Sequence, residues 1–382
     1  MTPGIAVGLQ LGTQPPLATV NAVARYARLI GLRSLMTIDH FQNIVPSAIW
    51  DEQFSWLAAR RSTPHEHFDY QALLGYLAAR TRHLQLGVGV TEAIRRHPVL
   101  IAQTMLTVAQ MTKKAPILGI GAGERMNIDP YGLDFAHPVS QLEEALQIIR
   151  RCFTERGPIS FTGHHFTLDN ALMDLQAPAG RTPAIWVAGH GPKMLEPTAT
   201  YGDGWYPTMV TTPQEYATKL AIIRAAATRC GRDPQAITPA LHRFVVVART
   251  DHEVQALLRH RSVRMLGLAA PAQLWRNLGA QHPFGEDFRG YVDIIPQHYD
   301  RPTLDKAIAA VPPELVEQGP LLWGTPPQII DKLRVFGDAG LRHVVLAPVS
   351  GLASAKAALY ALWAMRPIAH ALKRARHDPA DR

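Results

Sequence analysis

Short, uninterrupted apolar runs alternate along the chain with stretches in which apolar residues recur every three or four positions. Uninterrupted runs are typical of strands buried on both faces, and the second pattern is typical of amphipathic helices. The pattern predicts eight strands, each followed by a helix, at residues 4–11, 35–41, 84–90, 117–121, 184–188, 204–207, 243–248 and 343–347. Eight such units in 382 residues predict an α/β fold of the closed (β/α)8 TIM-barrel type.

The alternative is a doubly wound sheet that binds a dinucleotide. The glycine-rich stretch Gly119-Ile120-Gly121-Ala122-Gly123-Glu124 lacks the third glycine of that fingerprint, and it follows the fourth predicted strand rather than the first. We therefore expect a single barrel domain over residues 1–366, followed by a basic helix end and tail at 367–382. Insertions are expected after strands two, four and seven, at about residues 43–68, 157–176 and 267–322.

Polar or glycine-rich residues follow four of the predicted strands. They are Asp39 and His40 after strand two, Gly89 and Thr91 after strand three, Gly123, Glu124 and Asn127 after strand four, and Gly189-His190-Gly191-Pro192 after strand five. The carboxyl ends of barrel strands meet at one mouth, which is where the active sites of such barrels lie. His40 and Glu124 are therefore candidates for a proton-transfer pair. The residue types alone also allow a helix-capping Asp39, a structural His40 and a Glu124 that only stabilises a helix start.

Composition and charge narrow the function classes. The chain is 47% apolar and 18% charged. It has no run of about 18 apolar residues, as a membrane span would need, and no basic segment followed by an apolar one at the N-terminus, as in a secretory signal. We therefore expect a cytoplasmic protein. The net charge of +8 comes from scattered residues, which disfavours nucleic acid and favours anionic ligands. Clusters such as Arg95-Arg96 are interpreted as solvated helix faces, with a phosphate or peripheral membrane contact as alternatives. No metal site is predicted, because His65-Glu66-His67 lacks a third ligand nearby.

Four motifs, in order, resemble the luciferase-like barrel enzymes, and within them the branch that uses coenzyme F420, a deazaflavin. The motifs are Thr37-Ile38-Asp39-His40-Phe41, His97-Pro98-Val99 with Ala102-Gln103, Leu118 to Glu124 with Asn127, and Trp186 to Pro192. The resemblance implies F420 as the cofactor, with FMN as the alternative, and a homodimer as the assembly.

Three later motifs resemble the phthiodiolone and phenolphthiodiolone dimycocerosate ketoreductases of mycobacteria. They are His282-Pro283-Phe284-Gly285-Glu286-Asp287-Phe288, Asp293-Ile294-Ile295-Pro296-Gln297 and Trp323-Gly324-Thr325-Pro326. This resemblance implies hydride transfer between the reduced deazaflavin and the carbonyl of a lipid ketone. The alternatives are an F420-dependent alcohol or sugar dehydrogenase, an FMN-dependent monooxygenase, and a non-catalytic barrel that only binds a ligand.

The resemblance also implies roles for individual residues. It makes His40 the proton-transfer residue at the substrate and Glu124 the second acid-base residue. It implies a non-proline cis peptide at Gly89-Val90. His190 stands where the related deazaflavin-dependent glucose-6-phosphate dehydrogenases have a glycine, which disfavours a sugar phosphate as the substrate. The implied cofactor contacts are Asp39, Gly89, Val90, Thr91, Ala122, Gly123, Asn127, His190, Gly191, Lys193 and Met194.

Overall fold

The computed structural model describes residues 3–319 and 321–373, and within these ranges the chain forms eleven strands and thirteen α-helices. The strands are β1 Ala6–Gln10, β2 Ser34–Thr37, β3 Gln85–Thr91, β4 Ile117–Ile120, β5 Ile159–Thr162, β6 Thr167–Ala171, β7 Ala184–Val187, β8 Gly204–Trp205, β9 Thr238–Val247, β10 Leu321–Gly324 and β11 His343–Pro348. The helices are α1 Leu17–Leu29, α2 Tyr70–Arg80, α3 Pro98–Met111, α4 Pro138–Thr154, α5 Pro192–Tyr201, α6 Pro213–Arg229, α7 Asp251–Arg259, α8 Arg261–Arg264, α9 Ala272–Asn277, α10 Arg301–Ala310, α11 Pro313–Gln318, α12 Pro326–Asp338 and α13 Ala355–Lys373.

Eight of the strands in this part of the chain close into a parallel barrel. Their order is β1, β2, β3, β4, β7, β8, β9 and β11, and β11 pairs again with β1. The register places Gly8 of β1 opposite Val345 of β11 and Ser34 of β2. Inside the barrel, Met36, Ile117, Trp186, Tyr206, Ala240 and Val345 pack as one apolar layer. The predicted (β/α)8 TIM barrel is confirmed.

Local sequence explains where many helices start. Helices α3 to α6, α11 and α12 begin at a proline, whose fixed φ suits the first helical turn and whose missing N–H has no partner to lose there. Asp69 accepts a hydrogen bond from the Ala72 amide at the start of α2, and Thr325 and Gln328 form a capping box at α12. These signals lie within a few residues of each helix start, so local sequence alone can mark where these helices begin.

The seventh predicted strand is too short, and a further strand is missing from the prediction. β9 begins at Thr238 rather than 243, so His242 lies inside it. β8 pairs only with Thr238 and Pro239, the first two residues of β9. Further along the same edge of β9, residues Phe244 to Val247 pair with β10. β10 overlaps the end of the predicted 267–322 insertion. Its four residues show no alternation that could mark a strand.

The insertions after β2 and β9 pack against each other. Val45, Ile49 and Phe54 share a second apolar core with Trp275 and Leu304. Arg301 forms an ion pair with Asp51 at 2.5 Å, which ties the same two segments together. The 43–68 segment therefore supports the later insertion.

The third insertion and the chain end are also anchored. The β5–β6 hairpin is held to α4 because the Glu144 carboxylate accepts hydrogen bonds from the backbone amides of 164–166. Helix α13 runs from Ala355 to Lys373, beyond the expected domain end at 366, and Ile368 and Leu372 lie in the main core. Residues 374–382 of the predicted basic tail lie outside the described residues. None of the helices in 3–319 and 321–373 is long and apolar enough to cross a membrane.

Candidate active site

A cavity of about 410 Å³ opens at the carboxyl ends of the barrel strands. It is lined by nearly all the residues that the sequence places at the site. These are Asp39, His40, Gly89, Val90, Thr91, Ala122, Gly123, Glu124, Asn127, His190, Gly191 and Met194. Lys193 is exposed on the first turn of α5 and does not line it. A connection as long as 43–68 is expected to form a pocket wall or a dimer contact. None of its residues lines the cavity, so the prediction of a pocket wall is wrong and the dimer contact stays a prediction.

His40 and Glu124 face each other across this mouth. Nε2 of His40 lies 3.5 Å from Oε2 of Glu124, and the two side chains are 22% and 29% exposed. The Asn127 side chain holds the His40 and Glu124 segments together, because its Oδ1 accepts hydrogen bonds from the backbone amides of Phe41 at 2.8 Å and Gln42 at 3.4 Å. The turn after β2 is thereby joined to the turn after β4. The pair can hold and move a proton at a position that a ligand can reach.

Asp39 sits beside His40 in a different environment. Its Oδ2 accepts hydrogen bonds from Thr91 Oγ1 at 2.6 Å and Arg96 Nη1 at 2.7 Å, and it lies 3.0 Å from Arg95 Nη2. The Arg95 and Arg96 side chains are 3% and 14% exposed. The interpretation of these arginines as a solvated helix face is therefore wrong: they point inward and neutralise a buried carboxylate.

Two positions in the cavity wall, Gly89 and Gly123, require glycine. The peptide between Gly89 and Val90 is cis, as expected. A Cβ at Gly89 would lie 3.1 Å from Cε1 of Tyr206, so a larger residue would displace that ring. Gly123 has φ of +96°, a conformation that L side chains rarely adopt, directly before Glu124.

His190 lies on the wall before α5. Burial lowers its pKa to about 4, and Nδ1 has no hydrogen-bond partner among the described residues. The ring is therefore neutral at physiological pH and has a nitrogen free for a ligand.

Sequence reasoning missed half of the cavity wall. Gln10 ends β1, Tyr206, Thr208 and Met209 follow β8, and His242 and Phe244 lie in β9. The 267–322 insertion contributes Ala269, Pro271, Arg289, Tyr291 and Val292. Tyr206 lay within a predicted strand without any distinguishing motif, and His242 fell just outside the predicted strand seven. Only correct strand bounds and the inward or outward direction of each side chain could have found them.

Unpaired polar atoms concentrate at this cavity. In the described ranges, nine buried side-chain nitrogen or oxygen atoms lack a hydrogen-bond partner. Five of them belong to residues that line the cavity: Arg95 Nη1, Glu124 Oε2, His190 Nδ1, Tyr206 Oη and His242 Nδ1. Buried polar groups are normally paired, so this concentration indicates a site built for a polar ligand. A flat cofactor with several hydrogen-bonding atoms fits such a lining.

Comparison with known proteins shows the family of this chain. The sequence profile of the family described as luciferase-like monooxygenase matches residues 4–343. The chain belongs to this family. A phthiodiolone/phenolphthiodiolone dimycocerosates ketoreductase of Mycobacterium tuberculosis (strain ATCC 25618 / H37Rv) is 39% identical over 336 residues, which are 87% of this chain and 88% of that protein.

Two solved structures share the fold of this luciferase-like protein. An F420-dependent secondary alcohol dehydrogenase, in complex with an F420-acetone adduct, has a TM-score of 0.75 at 19% identity, over 97% of this chain and 100% of that one. The coenzyme F420-dependent tetrahydromethanopterin reductase of Methanopyrus kandleri has a TM-score of 0.73 at 18% identity, over 96% and 99%. The predicted luciferase-like family and the predicted oxidoreductase class are confirmed.

Proposed function

We propose that this protein is a ketoreductase that uses coenzyme F420. The observation that carries the proposal is the His40–Glu124 pair, which lies 3.5 Å apart in a cavity otherwise supplied with unpaired polar atoms. The relatedness to proteins named as ketoreductases supports the reaction, and the F420-dependent solved structures support the cofactor.

The residues present fit a deazaflavin. Arg95 Nη1 offers an unpaired donor and His190 Nδ1 an unpaired nitrogen on the wall formed by the β3, β4 and β7 ends. The Gly89-Val90 peptide and the turn at 121–123 bring backbone close to the cavity, which lets a flat ring lie against it. Asp39 contributes by holding Thr91, Arg95 and Arg96 in place. When bound, the reduced cofactor supplies the hydride for the carbonyl carbon.

The protein's own task is to position the ketone and to manage the proton. His40 donates a proton to the carbonyl oxygen as the carbon is reduced, so that C=O becomes CH–OH. Glu124 Oε2 stabilises the protonated imidazole before this transfer, because it lies next to Nε2 and has no other hydrogen-bond partner among the described residues. Proton return from solvent is direct, since both side chains are partly exposed.

The proposed substrate is a lipid ketone similar to phthiodiolone dimycocerosate. A volume of about 410 Å³ accommodates a cofactor ring and the carbonyl end of a ligand, because pockets of about 300–1,000 Å³ enclose drug-sized molecules. The long chains of such a lipid would extend outside the cavity. A homodimer, a cytoplasmic location and peripheral contact with a membrane stay part of this proposal.

The first test is an anaerobic titration of the purified protein with F420 and, in parallel, with FMN, followed by cofactor fluorescence. We expect saturable binding of F420 and weak or no binding of FMN, and oxidation of reduced F420 when a ketone is added. Binding of FMN alone would instead favour a monooxygenase, and binding of neither would favour a non-catalytic barrel.

A further inference from the structure

Tyr291 is a cavity residue to which the reaction proposed above gives no role. It belongs to the 267–322 insertion and lines the same cavity as His40 and Glu124. Among the described residues, its hydroxyl has no hydrogen-bond partner. A phenol in this position is a hydrogen-bond donor available to a ligand.

Ion pairs tie the turn that carries Tyr291 to the segment after β4. Asp293 Oδ1, two residues after Tyr291, lies 3.4 Å from Nε of Arg125, and Arg125 directly follows Glu124. Asp293 also pairs with Arg289 at 2.5 Å, on the other flank of the same turn. The insertion therefore holds Tyr291 at the Glu124 side of the mouth.

Packing fixes the direction of the Tyr291 ring. The ring stacks on Phe244 of β9, with centroids 5.9 Å apart and 14° between the planes. The preceding residue, Gly290, has φ of +77°, and a Cβ there would collide with the Ala269 carbonyl oxygen, so the turn requires glycine. Phe244 and Ala269 both line the cavity themselves. The phenol is thus held by two parts of the cavity wall.

Electrostatics place the Tyr291 phenol near the Glu124 carboxylate. Burial raises the pKa of Tyr291 above its ordinary value of 10, and the negative charge of Glu124 raises this pKa further, so the phenol keeps its proton. Tyr206 differs, because burial alone raises its pKa and its hydroxyl lies against Gly89 on the wall assigned to the cofactor. His40 Nε2 lies 3.5 Å from the same Glu124 carboxylate. His40 and Tyr291 therefore border the same part of the cavity.

We propose that Tyr291 is a further catalytic residue of the ketone reduction, and that its hydroxyl donates a hydrogen bond to the substrate carbonyl oxygen. As the hydride reaches the carbonyl carbon, the C=O π bond breaks and its electron pair moves to the oxygen. The proton of His40 then forms the new O–H bond, while Tyr291 keeps its own proton and stabilises the developing negative charge. This inference rests on the proposed ketone reduction, and it suits a diester ketone because only the carbonyl group has to reach Tyr291.

Tyr291→Phe tests the role, since it removes the hydroxyl and keeps the stacked ring. The assay uses reduced F420 and octan-2-one, a ketone with no other polar group. We expect kcat to fall by about 10²- to 10³-fold while KM and F420 affinity change little, because the lost bond strengthens only as charge develops on the oxygen. An unchanged kcat, or an effect confined to KM, would overturn the assignment.

A second measurement detects the hydrogen bond without turnover. Octan-2-one labelled with carbon-13 at its carbonyl is bound in the presence of oxidised F420, which has no hydride to transfer, and isotope-edited infrared difference spectra give the C=O stretching frequency. This frequency should be lower in the wild type than in Tyr291→Phe, because a donor at the oxygen weakens the C=O bond. Equal frequencies would contradict the proposed contact.

Tyr299→Phe is the matched control. Tyr299 lies in the same insertion and its ring stacks on Phe284 with centroids 4.0 Å apart, but it does not line the cavity. Its kcat and C=O frequency should equal those of the wild type, and the thermal midpoint shows whether each variant is folded. An equal loss of kcat in both variants would assign the effect to packing of the insertion and overturn the catalytic role. Failure of the wild type to bind F420 or to reduce any ketone would instead contradict the proposed function.

Discussion

Asp39 and His40 are neighbours in the chain, yet their surroundings give them different tasks. The Asp39 side chain is 3% exposed and is surrounded by Thr91, Arg95 and Arg96, so its carboxylate is committed to holding the wall. The His40 side chain is 22% exposed, and within the described residues its one ion pair is with Glu124, so its proton is available to a ligand. One residue therefore positions the site and the next performs the proposed chemistry.

Replacing His40 by glutamine should lower kcat with a lipid or short-chain ketone by about 10²- to 10⁴-fold, the range typical of a lost general acid. F420 affinity should change little, because the cofactor contacts proposed here lie on other residues. Steady-state kinetics and fluorescence titration measure the two effects separately.

His83→Gln provides the comparison for that substitution. His83 is exposed and precedes β3, at the opposite end of the barrel from the mouth. This variant should keep wild-type turnover. If His40→Gln also kept it, the acid role would have to be assigned elsewhere.

At the level of elements, the 267–322 insertion forms a roof over the cavity and shares its apolar core with the 43–68 segment. Trp275 is fully buried and donates from Nε1 to the Gly267 carbonyl at 3.3 Å, and its ring contacts His282 at 4.8 Å. The same segment places Tyr291 and Val292 in the cavity wall. Packing inside the insertion therefore determines the shape of the candidate substrate site.

Trp275→Ala should destabilise this roof by about 3–5 kcal/mol, because a large buried ring leaves a cavity that its surroundings fill only partly. We expect early proteolytic cleavage within 267–322, mapped by mass spectrometry, and a higher KM for ketones, while F420 binding persists.

The matched change is Trp363→Ala on α13, whose side chain is exposed (55%). It should leave the cleavage pattern and KM near those of the wild type. Equal sensitivity of the two variants would show that the insertion does not unfold as a separate unit.

Across the whole molecule, buried histidines make stability depend on pH. Burial lowers the pKa of His67, His242 and His343 to about 3 and that of His190 and His282 to about 4, from an ordinary 6.5. Below pH 6.5 the unfolded chain therefore binds more protons than the native protein. The free energy of unfolding should be highest above pH 6.5 and should fall as the pH is lowered from 6.5 toward 3.

His343 gives a measurable case, since its Nε2 bonds Ser34 Oγ at 2.9 Å deep in the barrel. At pH 5.5 its contribution to the loss should be about 1.4 kcal/mol relative to pH 7.5. Urea unfolding at both pH values should therefore show a smaller pH-dependent drop in His343→Gln than in the wild type. An identical drop in both proteins would mean that this histidine does not stay neutral in the native state.

The sequence by itself determined the features that local interactions decide. Buried strands appear as apolar runs, prolines mark helix starts, and polar residues follow the strands. The barrel, its mouth and most of the site residues that follow the second to fifth predicted strands were therefore predictable. The family resemblance added the separate roles of His40 and Glu124 in proton transfer and the cis peptide at Gly89-Val90. β10 had no such local mark.

Only the tertiary structure decided which distant residues complete the site. Arg96 reaches Asp39 across 57 residues, and His242 reaches Gln10 across 232. Whether a side chain points into the barrel or outward depends on strand bounds accurate to one residue, which is why Tyr206 and His242 escaped prediction. The roof over the cavity likewise exists only because two insertions, far apart in sequence, bury their apolar residues against each other.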